Sequence, residues 1–475
     1  MENEELCYLP AVKLARQIAQ KKISPIEVVK AIFSSIHRLN PRVNAFCTLA
    51  EEEAGRAAKE AEGAVMRGEP LGPLHGVPVS IKDLVLTQGI RTTFGSKLYE
   101  RFIPKEDEIA VKRLKAAGAI ILGKTNTCEF GYKAVTDNLL FGPTRNPWNL
   151  ERTAGGSSGG AGAAVACGLG PLALGSDAGG SIRVPASFCG VFGFKPTQGR
   201  IPIFPVPPGW ETVYRRVVHL GPITRTVADA ALMMEAMAGP DDRDRSSKLR
   251  EKISYRRNLR RGIGGLRMAW NTQMGEAVVA PEIRRKLERV LKGWEERGWR
   301  VDEVKIDIPS MHAAYQSLFA ADCAVALGDR LEKWSGQMDR GLVRLIQIGQ
   351  TLRAVDYSMA LRQVYRLEQG LLPLFAQYDL LLTPTLPLPP FPIGIDWPRE
   401  IGGQKTHPLN CLAFTYPFNL TGQPAASVPC EWTGEGLPIG LQIVGRWMED
   451  QTVLQVAAAL EEMRPWGDRR PNLIP

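Results

Sequence analysis

The sequence has no CxxC pair, and its eight cysteines, Cys7, Cys47, Cys128, Cys167, Cys189, Cys323, Cys411 and Cys430, follow no regular spacing. That scatter argues against a zinc site and against a disulfide scaffold. No apolar run reaches the roughly 18 residues that a bilayer-spanning helix requires. The first residues are acidic, where a secretory signal is basic and then apolar. The expectation is a cytoplasmic protein with no metal and no membrane partner. Histidine is scarce as well, five in 475 residues, which narrows the choice of general base.

What is present suits a large globular protein: 44% of residues are hydrophobic and 23% charged, enough to bury a sizeable core. The formal net charge of +9 points to an anionic partner only if the cations cluster. The densest run is Arg250, Lys252, Arg256, Arg257, Arg260 and Arg261, with Tyr255 its one aromatic residue. It reads as a solvated connecting segment, and no nucleic-acid partner is expected.

From Ala11 to Leu39 apolar and charged residues alternate at helical spacing, and Ser24, Pro25 and Glu27 form a capping-box pattern with Pro at the first helical position. Two surface helices are predicted. Short β-rich runs follow, Val77 to Ile81 and Ala119 to Leu122, with a helical pattern from Glu108 to Ala117 between them. Such alternation predicts an α/β layered core. Between Arg145 and Arg200 the chain is rich in Gly, Ser, Ala and Pro and poor in charge. Its apolar stretches "VACGLGPLALGSD" and "VFGFKP" set it apart from a linker and suggest closely approaching backbones. Pro240 to about Phe375 turns charged and helical, after which "DLLLTPTLP", "AASVPC" and "LPIGLQIVGR" read as strands. We expect one domain over residues 1–475, in which approximately 240–375 forms a helical elaboration or cap.

Two motif matches compete for attention. Gly118 to Thr125, "GAIILGKT", satisfies the phosphate-loop pattern, yet Ala-Ile-Ile-Leu between its glycines is strand sequence and does not turn N–H groups toward an anion. Gly155 to Gly159, "GGSSG", fits the nucleophile elbow of α/β-hydrolases, which needs a downstream histidine from among His219, His312 and His407. That esterase-like reading stays open as a distant alternative.

A third arrangement accounts for more residues together: "GVPVSIKD" with Lys82 and Asp83, "TAGGSSGG" with Ser157 and Ser158, and "GSDAGGSIRVPA" with Asp177, Ser181 and Arg183. These blocks resemble the amidase signature family. The resemblance extends through "AAGAIILGKTN", "FGPTRNPWN" and "FCGVFGFKPT" to "NLTGQPAASVP" and "PIGLQIVGR", essentially the whole chain. It implies a large mixed β-sheet covered by helices on both faces, in α/β/α layers. It implies a hydrolase cleaving a carbon–nitrogen amide bond without a cofactor, with Ser181 as nucleophile, Ser157 as bridging serine and Lys82 as base. It assigns the oxyanion hole to the backbone of Ala178, Gly179, Gly180 and Ser181. It also places Gly131 and Tyr132 of "CEFGYKAV" beside the nucleophile, so that Gly131, Tyr132 and Ser157 meet a small-molecule amide substrate.

Chemistry sets its own demands. An ordinary lysine, with a pKa near 10.4, is charged at neutral pH and accepts no proton, so Lys82 must be buried, without a close carboxylate; an ion pair to Asp83 would count against the mechanism. Ser158 reads as a structural hydroxyl. Asp177 and Arg183 read as a pair that shapes the loop. A β-branched residue at Gly180 is expected to abolish turnover and leave the fold intact. The Pro-rich loop with Trp210 and Tyr214 forms either part of the pocket mouth or a plain surface crossover. Within the family the rival is the glutaminase component of a tRNA-dependent amidotransferase; a stand-alone hydrolase is preferred because the charged middle region lacks that component's tyrosine- and lysine-rich helix. Aryl amides, aliphatic amides, carbamates and esters remain open as substrates, and so does a homodimer.

Overall fold

The computed structural model describes residues 3–207, 209–247 and 254–473. Eleven strands form one mixed sheet: β1 Phe46–Leu49, β2 Pro78–Lys82, β3 Ile120–Thr125, β4 Leu172–Asp177, β5 Phe192–Lys195, β6 His219–Thr224, β7 Arg267–Trp270, β8 Arg300–Glu303, β9 Leu380–Pro384, β10 Ala425–Trp432 and β11 Pro438–Gly445. Their order across the sheet is β1-β3-β2-β4-β6-β5-β10-β11-β9-β7-β8. β2 runs parallel to β3 and β4, and an antiparallel block from β6 to β11 completes the centre. The first and last thirds of the chain thus share one sheet, as expected.

Both faces are covered. Along β9, Leu380 and Leu382 enter one hydrophobic cluster and Leu381 enters the other, because successive strand side chains point to opposite faces. The first cluster is closed by the helices Ala11–Ala19, Pro25–Val43, Val227–Met237 and Asp450–Met463. The second is closed by His312–Leu327, Arg340–Thr351 and Ala354–Gln377. Among the described residues no helix is long and apolar enough to cross a membrane. Local sequence signals hold at two points: Ser24 caps Pro25–Val43 with the full capping box, and the false phosphate loop is β3, with Lys124 buried against Val85 O, Thr87 and Thr92.

The middle region departs from a purely helical elaboration. It supplies the helices Pro281–Glu295, His312–Leu327, Arg340–Thr351 and most of Ala354–Gln377, but also β7 and β8, which extend the main sheet beyond β9. β8 is the edge strand, partly exposed and carrying Arg300, Asp302 and Glu303; β7 lies inside it with Met268, Ala269 and Trp270 buried, and at four residues is too short to give an apolar run of its own. In the basic run, Arg250 and Lys252 lie outside the described residues, as does Pro208 of the Pro-rich loop. Arg256, Arg257, Arg260 and Arg261 are exposed.

Candidate active site

β2 ends on Lys82, and β4 ends on Asp177, two strands that lie side by side. Lys82 stands on β2 itself, the loop leaving β4 runs from Asp177 to Ser181, and Ser157 lies in the turn before the helix Gly159–Ala166. Lys82 is fully buried. Its Nζ lies 2.7 Å from Ser157 Oγ, 3.0 Å from Ser176 Oγ and 3.3 Å from Ser176 O. Burial lowers its pKa to about 7, against smaller opposing effects of Cys128 and Asp177. No carboxylate among the described residues pairs with it. Asp83 instead accepts hydrogen bonds from Thr93, and faces the buried Lys124.

Ser157 and Ser158 open the helix Gly159–Ala166. Thr136 fixes this turn, donating to Ser157 O at 3.2 Å and accepting from Gly159 N at 2.9 Å. Ser158 Oγ donates to Ser176 O at 3.1 Å and accepts from Ser176 N at 3.4 Å, which makes it the structural hydroxyl expected. Ser158 N donates to Ser181 O at 3.2 Å, and this bond draws the two serine loops together. Ser181 is half-buried, and its hydroxyl has no protein hydrogen-bond partner among the described residues.

The loop Asp177 to Ser181 is held from beneath. Arg183 grips Asp177 in two bonds of 3.0 Å, with both side chains fully buried. Burial alone would raise the Asp177 carboxyl; the Arg183 guanidinium overrides it and holds the group well below the usual carboxylate range. Arg183 continues to Thr415 O, Gln442 and Asn419, Asn419 donates to Asp177 O and Oδ1 at 2.8 Å, and Thr415 Oγ1 donates to Gly179 O at 2.7 Å. The pair shapes the loop, as read from the sequence.

One expectation changes here. Gly180 N donates to Asp177 Oδ1 at 2.7 Å, so its N–H is already committed; the N–H groups of Gly179 and Ser181 meet no protein acceptor among the described residues. Nor would a side chain at Gly180 leave the fold intact. Its φ is +125°, and a Cβ would lie 2.5 Å from Thr415 Oγ1 and 2.8 Å from Thr415 Cβ, on the residue that clamps the loop.

Gly131 has a φ of +72°, and a Cβ there would lie 3.2 Å from Ser157 Oγ. The next residue, Tyr132, stands on the wall of a cavity of about 360 Å³, which Tyr315, Phe319, Arg344, Leu345 and Trp397 also line. Tyr132 donates to Asp339 Oδ1 at 2.5 Å, and the nearly buried Lys133 bridges Asp339 and Asp396. Trp210 is buried and stacks on Phe130, with ring centroids 5.5 Å apart, so the Pro-rich loop backs the segment that carries Gly131.

Sequence reasoning missed Ser176, Tyr315, Thr415 and Asn419. Tyr315 comes from the helix His312–Leu327, and its hydroxyl sits over the loop Asp177 to Ser181, 3.4 Å from Ala178 O. Nothing in the local sequence marks it. Asn419, in contrast, opens the quoted "NLTGQPAASVP" block. The histidine reading fails on geometry: His219 turns Nδ1 to Val217 O, His312 and His407 stack on each other at 4.4 Å, and none bonds Ser157 or Ser158.

The family described as Amidase matches residues 27–454. The chain is 39% identical to the acylamidase of Rhodococcus erythropolis, over 99% of this chain and 98% of that protein. It is 38% identical to the A subunit of the glutamyl-tRNA(Gln) amidotransferase of Moorella thermoacetica, over 99% of each. It superposes on the crystal structure of a bacterial aryl acylamidase of the amidase signature family with a TM-score of 0.91, at 32% identity and 97% coverage of both chains. The protein is an amide-hydrolysing enzyme. It belongs to the amidase signature family.

Proposed function

We propose that the protein is a stand-alone amidase that works through an acyl-enzyme on Ser181, with Ser157 and neutral Lys82 as proton relay and base. The observation that carries this reading is Lys82: a lysine buried without a carboxylate, 2.7 Å from a serine hydroxyl. A shift from 10.5 to about 7 corresponds to roughly 5 kcal/mol of preference for the neutral amine. A neutral amine has two N–H groups and one lone pair. The two Ser176 oxygens take the donors, which leaves the lone pair for the Ser157 hydroxyl.

In this scheme Ser181 Oγ attacks the carbonyl carbon while its proton passes to Ser157 Oγ and the Ser157 proton passes to Lys82 Nζ. Rotation of the Ser181 side chain on substrate binding closes the gap between the two hydroxyls, since apo hydrogen bonds of catalytic groups are often open. The N–H groups of Gly179 and Ser181, joined by Ala178, face the negative oxygen of the tetrahedral intermediate. Collapse breaks the C–N bond, the relay returns the proton to the departing amine, and water then cleaves the ester on Ser181 by the same route. Esters and carbamates offer the same carbonyl, and activity on them is expected as a minor one.

The second reading, a glutaminase subunit dependent on partner proteins, is favoured by the 38% identity to the Moorella protein. The acylamidase likeness over the full length of both chains supports the first. Treatment with a serine-directed sulfonyl fluoride, followed by mass spectrometry, tests the nucleophile: an adduct on Ser181, absent in Ser181→Ala, supports the scheme, and an adduct on Ser157 or Ser158 overturns it. A panel of anilides, primary amides, carbamates and glutamine separates the two readings, because turnover of glutamine alone, and only with partners, removes the stand-alone one.

A further inference from the structure

The cavity beside Tyr132 has an uneven character. Part of its wall is apolar or aromatic, with Tyr315, Phe319, Leu345 and Trp397, whereas Arg344 and Arg399 are exposed residues of its lining. No carboxylate lines it among the described residues. Neither guanidinium has a hydrogen-bond or ion-pair partner among the described residues, in a chain where many surface arginines do, such as Arg243 with Asp241 and Arg464 with Glu431. Of the acids on the adjoining segments, Asp339 is bound by Tyr132 and Lys133 and Asp396 by Lys133, and the exposed Glu400, next to Arg399 in the chain, does not line the cavity.

Two residues of the cavity's lining adjoin the loops that carry Ser157 and Ser181. Tyr315 lines it and also covers Gly179 and Ala178 O. Tyr132 lines it and follows Gly131, which lies against Ser157. A substrate whose amide carbonyl sits at Ser181 therefore extends its apolar body between Tyr132 and Tyr315 and places its far end at the two arginines.

We propose that this site selects amides bearing a carboxylate remote from the scissile bond, joined to it by an aromatic or aliphatic spacer, with Arg344 and Arg399 as the specificity-determining residues. The proposal rests on the amidase reading of the site and adds its substrate class. A guanidinium offers paired N–H donors that match a carboxylate. Two of them over an apolar channel give the carboxylate a single favoured end, which orients the amide for attack. The carboxylate belongs either to the acyl half or to the amine half of the substrate, and the chemistry at the arginines is the same in both.

Matched pairs test it at about 20 mM ionic strength, where a charged contact is least screened. N-(4-nitrophenyl)glutaramic acid against N-(4-nitrophenyl)hexanamide places the charge on the acyl side; 4-acetamidobenzoate against 4-acetamidoacetophenone places it on the amine side. One acid is expected to exceed its neutral partner in kcat/KM by about tenfold or more, chiefly through KM. In Arg344→Gln and Arg399→Gln that ratio falls toward one. Equal kcat/KM within both pairs, or a preference that both substitutions leave in place, overturns the proposal.

Binding of each acid and its neutral partner to the Ser181→Ala protein, followed by calorimetry, supplies a readout independent of turnover. Tighter binding of one acid, lost when either arginine is also replaced, supports the anion site even if no amide is cleaved, in which case the hydrolase scheme is the part that fails. Hydrolysis of the neutral anilides with no arginine-dependent binding of either acid leaves the scheme standing and removes this proposal.

Discussion

Lys82 Nζ lies 2.7 Å from Ser157 Oγ, and no acidic side chain among the described residues forms an ion pair with it. Two pH effects follow from its pKa of about 7. In the proposed scheme activity requires the neutral amine, so kcat/KM should rise with pH and level off above about 8, the half-point lying near 7. Stability moves the same way. The folded value is below the unfolded one near 10.4, so the cost of burying this lysine is full below pH 7 and fades as pH rises toward 10. Lys82→Met should lose turnover by about a thousandfold or more, and its gain in Tm over the parent should be larger at pH 6 than at pH 9. A pH profile of kcat/KM with no inflection between 6 and 8 contradicts the neutral-lysine account.

Asp177 and Arg183 present the opposite sign. The Asp177 carboxyl is held well below its ordinary value by Arg183, so the stability it contributes is present above about pH 4 and is lost as pH falls further. Asp177→Asn strands a buried guanidinium and should cost about 3 to 5 kcal/mol. Urea unfolding should find that gap constant from pH 8 to 5 and narrowing below about 4. Arg183→Lys, which keeps the charge but loses the fork to Asn419, Gln442 and Thr415 O, should also lower activity while destabilising less.

The sheet is legible in the sequence where strands are central and apolar, as at Val77 to Ile81 and "DLLLTPTLP", and helices where they carry their own start signal, as at Ser24. The sequence is silent at β8, because an edge strand needs few apolar residues, and at β7, whose four residues are too few to set up a strand pattern. The site divides in the same way. Ser157 and Ser181 stand out because their glycine-rich loops demand unusual backbone, Lys82 because it ends the apolar strand β2, and family likeness suggests the roles of all three. Tyr315 is invisible, since an ordinary helix delivers it from about 135 residues downstream and only tertiary packing sets it over Gly179. Gly180 reads as an oxyanion donor because glycines favour exposed N–H groups; the Asp177 side chain that captures this one is a matter of rotamer and distance.

Gly179 and Tyr315 offer a coupled test of the oxyanion loop. A Cβ at Gly179 would overlap the Tyr315 hydroxyl, and the phenol ring is fixed by stacking near Phe319 and Tyr416. Gly179→Ala should therefore displace the loop and lower kcat by about a hundredfold, the scale of one lost oxyanion donor. Tyr315→Phe removes the atom that clashes. If the overlap is the cause, the double variant should recover about tenfold over Gly179→Ala, a non-additive result in a double-mutant cycle. Additive losses would place the effect of the methyl group elsewhere.

Ser157 and Ser158 are neighbours with different tasks, and their alanine variants should separate cleanly. Ser157 Oγ faces Lys82, so Ser157→Ala breaks the proposed relay and should lower kcat by about a thousandfold with little change in Tm. Ser158 Oγ serves only the backbone of Ser176. Its removal leaves a buried carbonyl and N–H short of one partner, at a cost of about 1 to 3 kcal/mol. Because Ser176 also positions Lys82, Ser158→Ala should reduce kcat by about tenfold, far less than Ser157→Ala, and should lower Tm more. The ratio of the two effects is the measurement: a Ser158→Ala variant as inactive as Ser157→Ala, with an unchanged Tm, would move the relay to Ser158.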